Sequence, residues 1–280
     1  FICSGSLLGI ALKKTVSVPV GSIIPKKMYQ LDFEEFLIAN DFGEDAIAHL
    51  RKSFEQKQSL APEVHDKVLS LFKRYLLVGG MPDAVNEYLN SHNIVKVREV
   101  QEAIRELYGV DASRYEEDAA KKLYIRRIYD MIPSQMENKK KRIVAKDILD
   151  RKGDRFSNYV EEFEYLINSG ITIASHAISN PKYPLAESQQ KNLLKLYMND
   201  VGMLTSQLYH YNIQPILNDI ASINLGSVYE SAVAQELKAH YGKLFYYDNK
   251  QKGEVDFLVD DSGTMSVLPI EVKSGKDYTV

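Results

Sequence analysis

The sequence predicts a mixed α/β protein of more than one domain. Its 280 residues are enough for a sizeable core, and a chain of this length commonly holds two domains. From residue 32 to residue 108 the apolar side chains recur mainly at helical spacing, which indicates a series of helices. Residues 253–259 and 268–275 instead alternate apolar and polar side chains, which is typical of two short strands.

The composition is typical of a globular protein in water, with 45% apolar residues, 26% charged residues and a net charge of −3. This charge provides no general attraction to nucleic acid, so any such binding needs a local basic patch. The single cysteine, Cys3, excludes an internal disulfide framework and a multi-cysteine zinc site. No apolar run reaches the roughly eighteen residues that a membrane span needs. We therefore expect a cytoplasmic protein without a membrane partner.

Residues 1–31 are predicted to hold short strands and one brief helix. The chain opens at Phe1 in an apolar run that ends in the small hydroxyl residues Ser4 and Ser6. Further strands are predicted over residues 16–20 and 27–31. Because the chain begins inside a predicted element, we expect it to be a piece of a longer protein, with segments missing at both ends.

Residues 32–110 are predicted to be helical. Asp32 is a suitable N-cap, and Glu35 follows three residues later, as in a capping box. Pro62 suits the first turn of a helix, and Gly79 suits its end. The predicted helices in this region begin at residues 32, 44, 62, 81 and 95 and end near residues 37, 56, 78, 89 and 108.

Residues 111–205 are predicted to form a winged-helix-like module, because three helices are followed by a hairpin. The helices are predicted over residues 116–136, 144–149 and 158–168, and the strands over residues 171–178 and 193–198. Pro133 should disturb the end of the first helix. Asn158 and Glu161 have the spacing of a capping box, and Gly170 suits the end of that helix.

The winged-helix order leaves two kinds of partner open. The third helix carries Glu161, Glu162 and Glu164 on its predicted polar face, and these carboxylates would repel phosphates. We therefore favour a protein contact over DNA reading for that helix. The basic run of residues 139–142 is either a solvated linker or a contact to a nucleic-acid backbone. Together with the nearby basic residues of the first helix, it would bind without sequence preference.

The two predicted strands near the end of the chain bring together a candidate cation site. In the second strand Glu271 and Lys273 project from one face, while Asp256 lies on the preceding strand. Asp256 and Glu271 can offer oxygen ligands to Mg²⁺, which prefers one or two carboxylates and keeps several waters. Lys273 can orient an attacking water or offset charge on a phosphodiester. The alternative is a two-stranded turn whose charged face is only solvated.

An aspartate followed fifteen positions later by Glu271-x-Lys273 resembles the core of the PD-(D/E)XK nuclease superfamily. In that superfamily a helix before the strand pair often carries a further carboxylate, and Glu230 matches that position. The resemblance implies that Asp256, Glu271, Lys273 and Glu230 form a catalytic site. Asp256 and Glu271 would bind Mg²⁺, and Glu230 would assist the metal or its water.

The chain also resembles, along nearly its whole length, a prokaryotic group of AAA+ ATPases with a C-terminal domain that is nuclease-like. The matching stretches, in order, are residues 3–8, 31–37, 79–82, 111–115, 195–202 and 271–273. The resemblance implies the end of an AAA+ core over 1–31, a helical lid over 32–110, the winged-helix-like module over 111–205 and a truncated nuclease-like domain over 206–280. Ser4 and Ser6 match the residues that sense the nucleotide, although a plain turn at a strand end explains them equally well.

The sequence departs from the ATPase pattern in one important respect. It contains neither a glycine-rich phosphate-binding loop with its lysine nor a strand ending in paired acidic residues. We therefore expect ATP to be bound by the intact parent protein only. The leading hypothesis is that the parent couples ATP binding to the processing of nucleic acid. The alternative is an inert nuclease fold that serves as a protein-interaction module, or as a homo-oligomer contact, of an ATP-driven switch.

Overall fold

The structure is a computed structural model that describes residues 24, 26–116, 118–138, 141–218 and 225–273. For residues 111–115 and 215 it describes the backbone only. Ser4 and Ser6, the strand predicted over residues 16–20, and two lysines of the basic run at 139 and 140 lie outside the described residues. Residues 27–31 were predicted to be a strand, and the structure assigns no strand to them.

The described part of the chain is a mixed α/β structure of helices and one sheet. The helices are α1 (Phe33–Ala39), α2 (Glu44–Glu55), α3 (Pro62–Val78), α4 (Pro82–Ser91), α5 (Ile94–Tyr115), α6 (Ala119–Met136), α7 (Lys146–Leu149), α8 (Val160–Asn168), α9 (Val201–Tyr209), α10 (Gln214–Leu217) and α11 (Gly226–Tyr241). The strands are β1 (Thr172–Ile178), β2 (Gln189–Met198), β3 (Leu244–Asn249), β4 (Gly253–Asp261) and β5 (Ser266–Ile270).

These elements divide into two compact units, and each unit is made of separate stretches of chain. The helical unit comprises residues 30–105 and 200–232. Within the described residues, the sheet unit comprises residues 24, 26–29, 106–116, 118–138, 141–199 and 233–273. No helix in the described part of the chain combines the length and apolar content that crossing a bilayer requires.

Local signals in the sequence explain where the helices of the helical unit begin and end. The Asp32 side chain accepts the N–H of Glu35, and the Glu35 side chain accepts the N–H of Asp32, which confirms the predicted capping box. Helix α3 begins at Pro62, whose missing N–H costs nothing in a first turn. It ends at Gly79, whose φ of +74° favours glycine. Leu37, Phe42 and Leu71 form a buried cluster beside these helices.

The sheet has the strand order β2-β1-β3-β4-β5. Strands β1 and β2 form the predicted antiparallel hairpin, with Thr172 opposite Met198. Strand β1 also pairs in parallel with β3, so this hairpin is part of the larger sheet and not a free wing. Strands β3, β4 and β5 are antiparallel neighbours, and β5 lies at the edge. The buried residues Ile178, Phe245 and Leu258 pack together on this sheet.

Two helix predictions differ from the structure in detail, although the predicted end of the first of these helices at residue 136 is confirmed. Helix α6 continues through Pro133 to Met136, because a proline in the last turn removes only one intrahelical hydrogen bond. Asn158 does not cap α8: it ends a short 3₁₀ turn, and its side-chain amide donates to Asp154. Helix α8 begins at Val160 instead, and Glu162 of its predicted polar face is buried. Burial raises the pKa of Glu162, while Glu161 is paired with Lys121.

Candidate functional site

The edge of the sheet brings two of the predicted carboxylates together. The register of β4 and β5 places Phe257 opposite Ile270, so Asp256 and Glu271 follow as the next pair. The structure ends β5 at Ile270, whereas the sequence predicted a strand through residue 275. Beyond Ile270, hydrogen bonds between side chains and backbone N–H groups connect β4 to the segment 271–272. Asp256 Oδ2 accepts the N–H of Val272 at 2.9 Å, and the Asp256 N–H is 3.4 Å from Glu271 Oε2.

Lys273 lies beside these carboxylates, as the sequence predicted. Its ammonium donates to Glu271 Oε1, and both side chains are partly exposed. The hydrogen bond from Lys273 to Glu271 raises the pKa of the lysine, and the charges of Glu271, Asp256 and Glu254 raise it further. The lysine is therefore charged at neutral pH, next to three carboxylates. Asp256, Glu271 and Lys273 are named the carboxylate–lysine cluster below.

The other predicted site residues are placed differently. Glu230 belongs to the helical unit, lies in α11 and is only 1% exposed. Its burial is consistent with a structural role for this carboxylate inside its own unit. The two serines predicted to sense ATP, Ser4 and Ser6, lie outside the described residues.

The donor atoms of the carboxylate–lysine cluster fit a divalent cation. Asp256 and Glu271 supply carboxylate oxygens, the type and number of protein ligands that Mg²⁺ favours. The neighbouring Glu254 adds negative charge without being required as a ligand. Lys273 competes for Glu271, so a cation bound there would have to displace the ammonium from Oε1 or share that carboxylate with it. Asp256 and Glu271 are thus the residues that would hold the metal.

A second group of polar residues, whose meeting the sequence does not predict, lies in the core of the helical unit. Asp200 is 1% exposed and caps α9 by accepting the N–H of Met203 at 3.1 Å. The same carboxylate accepts the N–H of Gly80 at 2.6 Å. A side chain at Gly79 would collide with it, because an added Cβ would lie 2.0 Å from Asp200 Oδ1. Gly79 is therefore needed for the close approach of this carboxylate.

A buried arginine completes this constellation. The Arg98 guanidinium donates to the carbonyl oxygens of Leu77 and Gly202 and to the side chain of Gln101. It also donates through Nε to the carbonyl of His210. Gln101 Nε2 donates to the carbonyls at the end of α3, so these two side chains satisfy backbone groups that the helix end leaves open. Burial lowers the pKa of Arg98 to about 10, and the charge of Asp200 opposes this shift.

Two family models match the chain, and each match includes residues of both compact units. A family model described as a domain of unknown function (DUF8612) matches residues 69–211, which is just over half of the chain. The chain belongs to the DUF8612 family. A second model, a domain of unknown function (DUF4143), matches residues 225–280. No curated protein and no solved structure is significantly similar to the chain.

The two candidate constellations fall in different matches. The Asp200–Arg98 network, with its glycines, lies within the DUF8612 match. The carboxylate–lysine cluster and Glu230 lie within the DUF4143 match. The sequence carries a signal for the Asp200–Arg98 network, because stretches 79–82 and 195–202 both resemble the AAA+ group. The structure shows why they belong together, since Gly80 and Asp200 are hydrogen-bonded.

The buried carboxylate predicts a pH dependence of stability. Burial raises the pKa of Asp200 to about 6, although the backbone N–H donors of Gly80 and Met203 oppose the shift. An unfolded aspartate titrates at about 3.9, so the folded chain binds more protons between about pH 4 and 6. Stability from this group is therefore present below pH 4 and lost as pH rises to about 6. We expect wild-type stability, measured relative to Asp200→Asn by urea unfolding, to fall by about 2–3 kcal/mol across this window.

The matched control for this experiment is Asp45→Asn, an exposed aspartate in the first turn of α2. Its unfolding free energy relative to the wild type should change little over the same pH range. A wild-type curve parallel to that of Asp200→Asn, or one that rises between pH 4 and 6, would contradict the assignment of this pH dependence to Asp200.

Proposed function

We propose that the carboxylate–lysine cluster is a divalent-cation site that acts on phosphodiesters, in a protein whose intact form also binds ATP. The observation that carries this proposal is the meeting of Asp256, Glu271 and Lys273 at one sheet edge. The resemblance to AAA+ ATPases with a nuclease-like C-terminal domain supports it.

Each residue of the cluster has a distinct task in this proposal. Asp256 and Glu271 hold the cation, and the bond from the Val272 N–H keeps the Asp256 carboxylate at the edge of the sheet. When bound, the cation would act as a Lewis acid on the phosphodiester. Lys273 is partly exposed and charged, so it can orient a water molecule or stabilise negative charge that develops on the phosphate. Glu230, buried in the helical unit, is not needed for these tasks.

The first test is calorimetric titration of the full chain with Mn²⁺. Asp256→Asn and Glu271→Gln should each weaken binding by about tenfold or more, because each removes a charged ligand. Lys273→Met should retain binding or strengthen it, because the ammonium no longer competes for Glu271. The matched control is Glu187→Gln, an exposed glutamate of the same unit in the short turn before β2. Equal affinities for the wild type, Asp256→Asn and Glu271→Gln would exclude the cation site.

The second test is cleavage of plasmid, single-stranded DNA and RNA with Mg²⁺ or Mn²⁺. Cleavage should be lost in Asp256→Asn through loss of the cation. It should be lost in Lys273→Met although the cation still binds, which separates the two roles. Activity that survives in both variants would have to come from another site or from a contaminant.

A second candidate function is supported by the same geometry. Asp256 already accepts a backbone N–H and Glu271 already accepts the Lys273 ammonium, so both carboxylates have partners without a cation. The cluster can thus be a structural link at a sheet edge, in an inert fold that contacts another protein. In that case Mn²⁺ would not bind, and Glu271→Gln would lower stability without affecting any cleavage.

A further inference from the structure

A groove of about 800 Å³ lies in the sheet unit, and none of its lining residues belongs to the carboxylate–lysine cluster. Its walls are the end of α6, the segment 141–145, the turn at 155–157 and the beginning of β2. The segment 141–145 is held along β2 because the Ile143 N–H donates to the Leu194 carbonyl at 3.3 Å. The groove is therefore built from several elements that pack within one unit.

The charge of this groove is positive. Three cationic side chains line it, those of Lys141, Arg142 and Arg155, and no Asp or Glu is among its described lining residues. Arg155 is exposed, and its side chain makes no hydrogen bond or ion pair to any residue that the structure describes. An anionic ligand would thus meet at least one cation that the described part of the chain does not already neutralise.

Of the three cationic side chains that line the groove, Arg142 is held in place by neighbouring residues. Its side chain is 18% exposed and forms an ion pair with Asp248 of β3. The guanidinium also lies 5.7 Å from the centre of the Tyr246 ring, and the Lys195 ammonium lies 4.9 Å from the same centre. Two cationic groups therefore lie at one ring, and the Asp248 carboxylate offsets the charge of only one of them, Arg142.

One wall of the groove carries an aromatic ring that is held in place. Phe156 stacks on Phe163 with ring centres 4.5 Å apart and planes 4° apart, and Phe163 is itself buried. One face of Phe156 is thus covered, and its ring cannot turn without losing this contact. The exposed side-chain amides of Asn138 and Asn192 also line the groove and can hydrogen-bond to polar groups of a ligand.

We propose that this groove binds a short stretch of single-stranded nucleic acid. The phosphates would contact Arg155, Lys141 and Arg142, and one base would stack on the face of Phe156 turned away from Phe163. Cations that follow a backbone, together with an aromatic face for a base, are the combination by which such strands are bound without sequence preference. An acidic peptide would use the cations alone and would leave the aromatic face without a partner.

The test uses the full chain and fluorescence anisotropy with a short fluorescein-labelled oligo(dT), in EDTA and at low salt. EDTA separates this proposal from the cation site, because the groove needs no metal and no cleavage can confuse the readout. Arg155→Glu should weaken binding by about tenfold or more, since a cation becomes a like charge. Lys182→Glu is the matched control: it reverses the charge of an exposed lysine that does not line the groove, and binding should change little.

Two further variants separate the charged and the aromatic contributions. Arg155→Ala should reduce the slope of log affinity against log salt by about 0.7, the value for one phosphate contact on a single strand. Phe156→Leu should weaken binding by about fivefold or more and leave this slope unchanged, because stacking releases no counterions. Circular dichroism and thermal unfolding check that each variant folds, and Arg155, being exposed, is the safer substitution.

Four results would overturn the proposal. The first is no binding of the oligonucleotide by the wild type at low salt. The second is equal weakening by Arg155→Glu and Lys182→Glu, which would mean that only overall charge matters. The third is displacement of the oligonucleotide by poly-glutamate with equal affinity, which would identify an acidic protein as the ligand. The fourth is a duplex that binds more tightly than the single strand, which would exclude stacking on Phe156.

Discussion

Replacing Arg98 by methionine is expected to lower the free energy of unfolding by about 3–5 kcal/mol, the range for breaking a buried charged network. The guanidinium donates to the carbonyls of Leu77, Gly202 and His210, and methionine can replace none of these bonds. The buried carbonyls of Leu77 and Gly202 keep a second donor each, from Gln101 and Thr205, but both lose a hydrogen bond to a charged group, which contributes about 1.5–3 kcal/mol. Asp200 would also lose a neighbouring positive charge.

The matched control is Arg51→Met in the same unit. Arg51 forms an ion pair with Glu34, and both side chains are largely exposed, so its loss should cost about 1 kcal/mol or less. Urea unfolding of both variants at neutral pH provides the comparison. If the two variants lose similar stability, the buried network does not support the helical unit in the way described. A double variant with Asp200→Asn should be less destabilised than the sum of the single changes, because the two groups interact.

Gly80→Ala is expected to lower the free energy of unfolding by about 3 kcal/mol or more. An added Cβ would lie 1.9 Å from the carbonyl oxygen of Leu31, which is a backbone atom and cannot rotate away. That oxygen also accepts the Tyr75 hydroxyl at 2.9 Å, and the Leu31 N–H donates to the Gly80 carbonyl at 2.8 Å. Relief of the collision would therefore break several hydrogen bonds at once.

Gly109→Ala is a control that is expected to change the free energy of unfolding in the opposite direction. Gly109 lies within α5, and an added Cβ would meet no atom within 4 Å. Alanine should stabilise the helix there by about 0.5–1 kcal/mol, because glycine is a poor helix former. Thermal unfolding distinguishes the two substitutions by the direction of the shift. A tolerated alanine at position 80 would show that residues 31 and 80 are not in such close contact.

The sequence predicted those parts of the fold that depend on local signals. The bounds of α3 follow from Pro62 and Gly79, and the capping box at Asp32 sets the start of α1. Strand β3 was not predicted, because residues 244–247 are a continuous apolar and aromatic run. This strand lies between β1 and β4, and its first three residues are buried, which removes the alternation that identifies strands covered on one face.

The sequence predicts the carboxylate–lysine cluster but not the contact between Gly80 and Asp200, and the difference has a physical reason. Asp256 and Glu271 lie on adjacent elements joined by a short turn, so spacing and alternation are enough to place them together. Gly80 and Asp200 are 120 positions apart, and neither belongs to a periodic pattern. Nothing in the physical chemistry of either segment indicates that one would meet the other. The groove is likewise formed by four separate segments, and of these only the basic run was predicted to contact a ligand, as one of two alternatives.

The interleaved order of the two units has a consequence for folding during synthesis. Residues 30–105 of the helical unit emerge from the ribosome well before residues 200–232, which complete it. At ordinary translation rates the interval is on the order of ten seconds. During that interval the Gly80 N–H lacks its acceptor on Asp200, and the Arg98 guanidinium lacks the Gly202 carbonyl of α9. The nascent chain should therefore depend on chaperones until its second segment arrives, and fragments that stop at residue 199 should aggregate.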